Sequence, residues 1–458
     1  MVNLRPTSPT DPVLTRRHLL TAGLAAGLAA GVTAGAPGLA HASPYDPGTS
    51  LDVGSAATPD GIHAAGDPDF HPVKFRLPAP TGRKALGTTT LHLIDRSRPD
   101  PSMPSGQREL MISLWYPAEM SRSPYATYMP ARTAVAVDDV WTGEYGLALP
   151  PGSFDFGNTV THARVDARMQ RLPHPVVLFS PGYQYSRFVN TAQVEDLASR
   201  GYVVVTMDHP HETPVEYPGG RFLPGLVSDE PPQPSDIRAA VETRTADARF
   251  VLDQLERIAD GQNVDAEGKE LPEGVAEGLE LRRTGMFGFA LGGYTAANTM
   301  LADERVLAGA DLDGTLQDDR LRGPLGDVAE HGLDRPFLLF GSGETQRTEP
   351  GKDFYDKSWA TFWQAQQGGK LNLALTNTKQ KAFTDFQFIF SQLFHEIYGT
   401  DPIITSVMKA LVGSAKPARS VLAQREYLGA FFDQTLRHRP EPLLRGDSAR
   451  YPEVRFVR

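Results

Sequence analysis

The stretch Gly288-Phe289-Ala290-Leu291-Gly292-Gly293 lies between a short apolar run at 284–287 and a helical pattern from about 292 to 303. A strand that turns straight into a helix through small residues can hold its apex in a strained backbone conformation. When the apex is serine, its Oγ stands above the sheet as a nucleophile, the G-x-S-x-G pattern of acyl transfer. Here the apex is Ala290, flanked by Gly288 and Gly292, so the turn has the form for that chemistry without the attacking atom. Nucleotide-binding folds also place glycines at such a turn, but these three do not match G-x-G-x-x-G and no P-loop lysine follows.

Positioning such a turn requires a sheet, and the pattern around it supplies one. Short, nearly continuous apolar runs at 176–179, 202–207, 284–287, 306–312, 336–340 and 371–375 alternate with helical patterns, as in a parallel sheet buried on both faces. The helices are expected at 191–200, from Ser235 as N-cap with Ile237, Val241, Ala248, Val251, Leu255 and Ile258 on one stripe, at 292–303 and at 420–436. Ahead of them, 88–94 and 110–117 read as an antiparallel hairpin joined by a Pro/Ser-rich turn. The fold class is therefore α/β, a mostly parallel, doubly wound sheet over 71–440 with an N-terminal hairpin and a tail at 441–458.

Composition bounds the function. With 45 Lys+Arg against 55 Asp+Glu, a formal charge of −10 and no Lys/Arg-rich run, the chain offers no basic face to a nucleic acid. It has no Cys, which excludes a disulfide framework, thiolate metal clusters and a Cys nucleophile. In residues 1–42, Arg16-Arg17 precede an Ala/Gly/Leu stretch and Ala40-His41-Ala42 has small residues at the cleavage positions, the pattern of a twin-arginine signal peptide. The stretch is long enough to span a bilayer, but its Gly and Ala content and Pro37 make a weak anchor, so cleavage after Ala42, secretion and no stable membrane anchor are expected. Residues 43–70, rich in Pro, Gly, Ser and Asp, read as a linker or arm.

Several blocks in order give a more specific likeness: Leu114-Trp115-Tyr116-Pro117, Val177-Leu178-Phe179-Ser180-Pro181-Gly182, Asp196 to Val205, Phe250-Val251-Leu252-Asp253, the glycine-rich turn, Asp311-Leu312-Asp313-Gly314 and Phe383-Thr384-Asp385. In these the chain resembles the α/β-hydrolase superfamily, and within it the secreted actinobacterial esterases and lipases similar to plasma-type platelet-activating-factor acetylhydrolase. The resemblance implies an α/β-hydrolase fold and a site above the glycine-rich turn, now a nucleophile elbow. It places the family's acid at Asp313, with Asp311 a rival that should face the other side of its strand. It makes the N–H groups of Tyr183 and Leu291 the oxyanion donors, and it puts Gln380 where the family has histidine. No histidine occurs between His331 and His395, so a small shift in alignment does not supply one. Ala290 and Gln380 thus leave two of three triad positions without their chemistry, and the side-chain NH₂ of Gln380 is expected to bond the Asp313 carboxylate in place of the missing histidine.

Other clusters have blander readings. Ser406-Val407-Met408-Lys409 fits S-x-x-K but lacks the companion S-D-N and K-T-G motifs. His209-Pro210-His211-Glu212 has metal-binding residue types, yet the resembled family carries a similar loop without a metal, and a structural role for Asp208 and His209 beneath the site loops is the simpler account. Ser180, Ser186 and Ser342 fall near the expected site with no histidine partner legible in the sequence. Trp359, Phe362 and Trp363 are at helical spacing and are expected in the core or the pocket wall. The expectation is a small-molecule site for a hydrophobic or acyl-bearing ligand, with no cofactor and no metal. It is either a non-hydrolytic enzyme (cyclase, isomerase or lyase), a silent binding or scaffold protein, or an esterase altered at its nucleophile.

Overall fold

The computed structural model describes residues 72–144, 152–225, 232–319, 323–343, 356–399 and 402–457. The expected leader and arm lie outside them. The strands are, in chain order, β1 (Ala85–Asp100), β2 (Met103–Ala118), β3 (Tyr125–Thr127), β4 (Val160–Val165), β5 (His174–Ser180), β6 (Val203–Met207), β7 (Val215–Glu216), β8 (Phe222–Leu223), β9 (Leu279–Phe289), β10 (Val306–Leu312), β11 (Phe337–Ser342), β12 (Lys370–Leu375) and β13 (Val454–Phe456). The helices flanking the sheet are α1 (Thr191–Ser199), α2 (Pro234–Ala259), α3 (Leu291–Ala302) and α4 (Pro417–Leu436).

Eleven strands form one sheet in the order β13-β12-β11-β10-β9-β5-β6-β2-β1-β4-β3, with β6 through β12 parallel and β2 and β13 antiparallel to their neighbours. The chain lays β6 on one side of β5 and then crosses to put β9 on the other, so the winding reverses between β5 and β9. Ligands in such sheets bind at the carboxyl ends of the strands beside that reversal. The loops leaving β5 and β9 are the two halves of the site.

Side-chain alternation divides the core as a two-faced sheet requires. Val177 and Phe179 join the cluster containing Phe287, Phe340, Tyr427 and Phe432, whereas Val176 and Leu178 join the one containing Met286 and the α2 stripe Val241, Ala248, Val251, Leu255 and Ile258. A third cluster, rich in aromatic residues and including Phe75, Tyr128, Phe156, Phe188, Phe386 and Phe390, packs beside the loop that follows β5.

Three local expectations change. The hairpin is longer than its apolar pattern, because β1 and β2 stay paired out to Asp100 and Met103. Asp100 Oδ1 closes the turn by accepting the N–H groups of Ser102 (2.8 Å) and Met103 (3.1 Å), the local bonding that lets Asp replace a backbone turn. The long helix starts at Pro234 rather than after Ser235. Gln233 is its N-cap and forms a capping box with Asp236, and Pro234 takes the first-turn position that needs no N–H. Residues 441–458, read as a tail, contribute β13, whose Phe456 and Val454 pair with Leu373 and Leu375 of β12. Among the described residues no helix is long and apolar enough to cross a membrane.

Candidate active site

Ala290 sits at the junction of β9 and α3 with φ 49° and ψ −119°, a region that L-residues rarely occupy. The surrounding glycines are there for close approach. A Cβ on Gly288 would run into the backbone of Gly292, one on Gly292 into the Ser180 carbonyl, and one on Gly293 into the Asp311 carboxylate. The Ala290 N–H donates to Leu312 O at 3.0 Å, which ties the elbow to the end of β10.

Just past the end of β10, Asp313 also has a positive φ, 57°, and is buried. Its Oδ1 accepts the Ser342 N–H at 2.7 Å, and its own N–H donates to Phe340 O at 2.9 Å. Gln380 arrives on a single 3-10 turn, Gln380–Phe383, soon after β12. Its Nε2 donates to the main-chain carbonyl of Asp313 at 2.8 Å. The fold therefore brings residues 290, 313 and 380 together, but the side chain to side chain pair of Asp313 with Gln380 that the sequence suggested is replaced by a side chain to main chain bond. Oδ1 of that carboxylate is held by the β11 backbone at Ser342, and the amide meets the main-chain carbonyl. Asp311, the rival, accepts the Gly314 N–H at 2.7 Å and is likewise buried.

The loop after β5 faces this elbow. Gly182 packs so closely that an added Cβ would come within 3.0 Å of the Phe289 and Tyr185 rings. The Tyr185 ring meets Phe289 edge-on at 5.7 Å and Phe386 at 5.8 Å, giving the site an aromatic wall. Tyr183, Ala290 and Gln380 are half-buried, and Leu291 is the first residue of α3, where helix N–H groups have no intrahelical partner.

The sequence reading missed a buried polar chain beneath this loop. Ser180 Oγ lies 2.9 Å from His209 Nε2, and His209 Nδ1 lies 3.0 Å from Asp247 Oδ2. Burial, with the Arg244 charge beside it, pushes the His209 imidazole below its usual pKa. The neutral ring donates from Nδ1 to Asp247 and accepts the Ser180 hydroxyl at Nε2. Burial raises the Asp247 carboxyl, but the Arg108 guanidinium and the His209 bond more than reverse this and hold it well below the carboxylate range. Arg108 binds Asp247 through two nitrogens, at 3.1 and 2.7 Å, and Arg98 adds a third contact at 3.0 Å.

The connectivity is that of a hydrolytic triad, but Ser180 and Asp247 are 0% exposed and His209 1%. A base at work must also accept a proton, which burial and Arg244 oppose here. The signal that could have found the chain is Arg244 with Asp247, two charged residues one helical turn apart on the face of α2 that carries Val241, Ala248 and Val251.

The remaining clusters lie outside this arrangement. Asp208 accepts the Arg187 N–H at 2.8 Å and pairs with its guanidinium. His211 Nε2 is 3.1 Å from Asp100 Oδ1. Ser406 and Lys409 are exposed on the helix Pro402–Val412, away from the core. Trp359 and Phe362 are buried, with Trp363 packed against the same cluster. Among the described residues no group of three or more His, Cys, Asp or Glu is placed to hold a metal ion.

Residues 76–216 match the family model described as platelet-activating factor acetylhydrolase, isoform II. The chain is 29% identical over 407 residues to a probable 1-alkyl-2-acetylglycerophosphocholine esterase of Arthroderma benhamiae, covering 84% of this chain and 95% of that protein. It is 35% identical to the solved structure of a ferulic acid esterase from Streptomyces cinnamoneus, with a TM-score of 0.67 and coverage of 84% of this chain and 100% of that one. The reversal between β5 and β9, the strained elbow and these likenesses agree, and the chain belongs to the α/β-hydrolases of the platelet-activating-factor acetylhydrolase type.

Proposed function

We propose that this protein binds an apolar, ester- or acyl-bearing small molecule over the elbow and has given up acyl-enzyme hydrolysis. It either promotes a non-hydrolytic step, such as a cyclisation, isomerisation or elimination, or holds its ligand without turnover. The observation that carries the proposal is Ala290 in the elbow conformation, φ 49° and ψ −119°: the strain that presents a nucleophile is kept where no Oγ exists to attack. Gln380 supports it, because an amide does not take up a proton at neutral pH. In a serine protease of this chemistry, loss of the triad lowers turnover by about 2 × 10⁶. In the proposed step Asp313 is the acid or base, and the N–H groups of Tyr183 and Leu291 stabilise charge developing on the acyl oxygen.

The test is reaction of the wild-type protein with a fluorophosphonate serine probe and with nitrophenyl esters, alongside mass spectrometry of small molecules that copurify. No labelling and no burst are expected. Labelling of any serine, with turnover, overturns the proposal and establishes a second reading favoured by the names of the relatives, both esterases: an ester hydrolase working through a serine outside the elbow. Asp313→Asn separates the two forms of the leading proposal, since it abolishes turnover if the protein is an enzyme and alters only affinity or stability if it is a scaffold. We also propose export through the twin-arginine route, the mature chain starting at Ser43; Arg16-Arg17 and the cleavage pattern support it.

A further inference from the structure

Arg244 is 0% exposed, and beyond the charge it sets beside His209 it has been given no part in the site. It projects from α2 to the loop after β5, where Nη1 donates to Pro181 O at 2.7 Å and Nη2 to Gly182 O at 3.0 Å. Glu212 holds its other edge, with Nε donating to Oε1 at 2.9 Å and Nη2 paired to Oε2. Nη1 is also 3.5 Å from Ser180 Oγ, the hydroxyl anchored through His209 and Asp247.

A trans peptide unit points its C=O and the following N–H in opposite directions. The carbonyl of Gly182 and the N–H of Tyr183 belong to one such unit. A guanidinium that draws the Gly182 carbonyl toward α2 therefore turns the Tyr183 N–H the other way, to the side of the loop away from α2. The Pro181 carbonyl fixes the preceding unit in the same sense. We propose that Arg244, braced by Glu212, is the positioning residue that sets the direction of the Tyr183 N–H, and with it the donor geometry of the anion-stabilising half of the site. The inference deepens the proposed function, since it assigns a part to the N–H that reading makes a donor. The guanidinium suits the task because one rigid fork reaches two successive carbonyls, which an ammonium group cannot do.

The experiment uses the full-length protein labelled with ¹⁵N-tyrosine, in which the Tyr183 amide resonance is identified by its loss in Tyr183→Phe. Arg244→Lys is expected to move that resonance by more than its linewidth while the Tyr116 and Tyr202 amides, on β2 and beside β6, stay in place. An unmoved Tyr183 resonance in a folded Arg244→Lys protein overturns the proposal, as does a displacement spread evenly over all tyrosines. If Arg244→Lys does not fold, Glu212→Gln decides by the same criterion, because it loosens the guanidinium without removing it.

These spectra need no turnover, so they stand whether or not the functional reading does. Where the Ala290→Ser/Gln380→His protein hydrolyses nitrophenyl acetate, adding Arg244→Lys is expected to lower kcat by about 10²-fold at unchanged KM, the signature of a lost transition-state donor. A raised KM at unchanged kcat would assign Arg244 to general support of the loop and overturn the proposal. An inactive Ala290→Ser/Gln380→His protein would count against the reading of the site, and the Tyr183 resonance would then decide the part of Arg244 by itself.

Discussion

Returning a serine to position 290 and a histidine to position 380 should recover hydrolysis only in part, and the geometry sets how much. The elbow backbone is already in the strained form at φ 49°, so Ala290→Ser places a hydroxyl at the apex without rebuilding the turn. The weak point is the acid. Gln380 Nε2 reaches the Asp313 carbonyl, and Asp313 Oδ1 is held by the Ser342 N–H. An imidazole following the same path would meet a carbonyl, which can fix its tautomer but cannot balance its charge. In subtilisin, loss of the whole triad lowers turnover by about 2 × 10⁶ and loss of the aspartate alone by about 3 × 10⁴, so nucleophile and base without a working acid retain about 10²-fold. We therefore expect Ala290→Ser/Gln380→His to hydrolyse nitrophenyl acetate about 10²-fold faster than the wild type, and Asp313→Asn on top of it to change the rate little. Ala290→Ser alone should give almost nothing, an unassisted hydroxyl being a poor nucleophile. A single variant that matches the double one would show that no base is needed, and a double variant that gains about 10⁴-fold or more and loses it with Asp313→Asn would show that the Asp313 carboxylate does serve the imidazole.

Ala290→Gly should stabilise the fold: relief of backbone strain, about 1–3 kcal/mol, outweighs glycine's added freedom in the unfolded chain, about 0.5–1 kcal/mol; a lower urea midpoint would contradict this. Burial raises the Asp385 carboxyl well above its usual range, so the folded state keeps a proton that the unfolded state has lost. Stability should then fall as pH rises from about 4, the unfolded value, through the folded value. Asp385→Asn should remove that slope, as read by urea unfolding at a series of pH values, and an unchanged slope would show that another group is responsible. Changing Arg16 and Arg17 to Lys should leave the protein in the cytoplasm with its leader uncleaved; fractionation showing normal secretion would rule out the twin-arginine route.

The sheet was legible because strands buried on both faces are written as continuous apolar runs, as at Val176–Phe179 and Val203–Val205. The elbow was legible because its glycines are demanded by backbone contact. What the sequence could not carry were features made by long-range partners. The extension of the hairpin to Asp100 depends on a turn sealed by one carboxylate, and β13 is only three residues long. Asp313 and Gln380 were placed near each other by likeness to a family, but which oxygen the amide meets is set by where the 3-10 turn of Gln380 lands in three dimensions. The polar chain from Ser180 to Arg108 joins four separate segments, and its members look ordinary one by one. Only the burial of Arg244 and Asp247, two charged residues among mostly apolar neighbours on α2, marks them.

The pairing of β13 with β12 bears on how the sheet keeps from pairing with other copies of the chain. An open edge of a sheet is a row of unsatisfied backbone groups that invites another strand. Here Leu373 and Leu375, both fully buried, lie on the strand that this edge would expose, and the strand that covers it is made of Val454, Arg455 and Phe456. A chain shortened after residue 440 would carry that strand uncovered. Such a chain, which also loses Tyr451 and Val454 from the core, should assemble edge to edge with its own copies even though its elbow is complete.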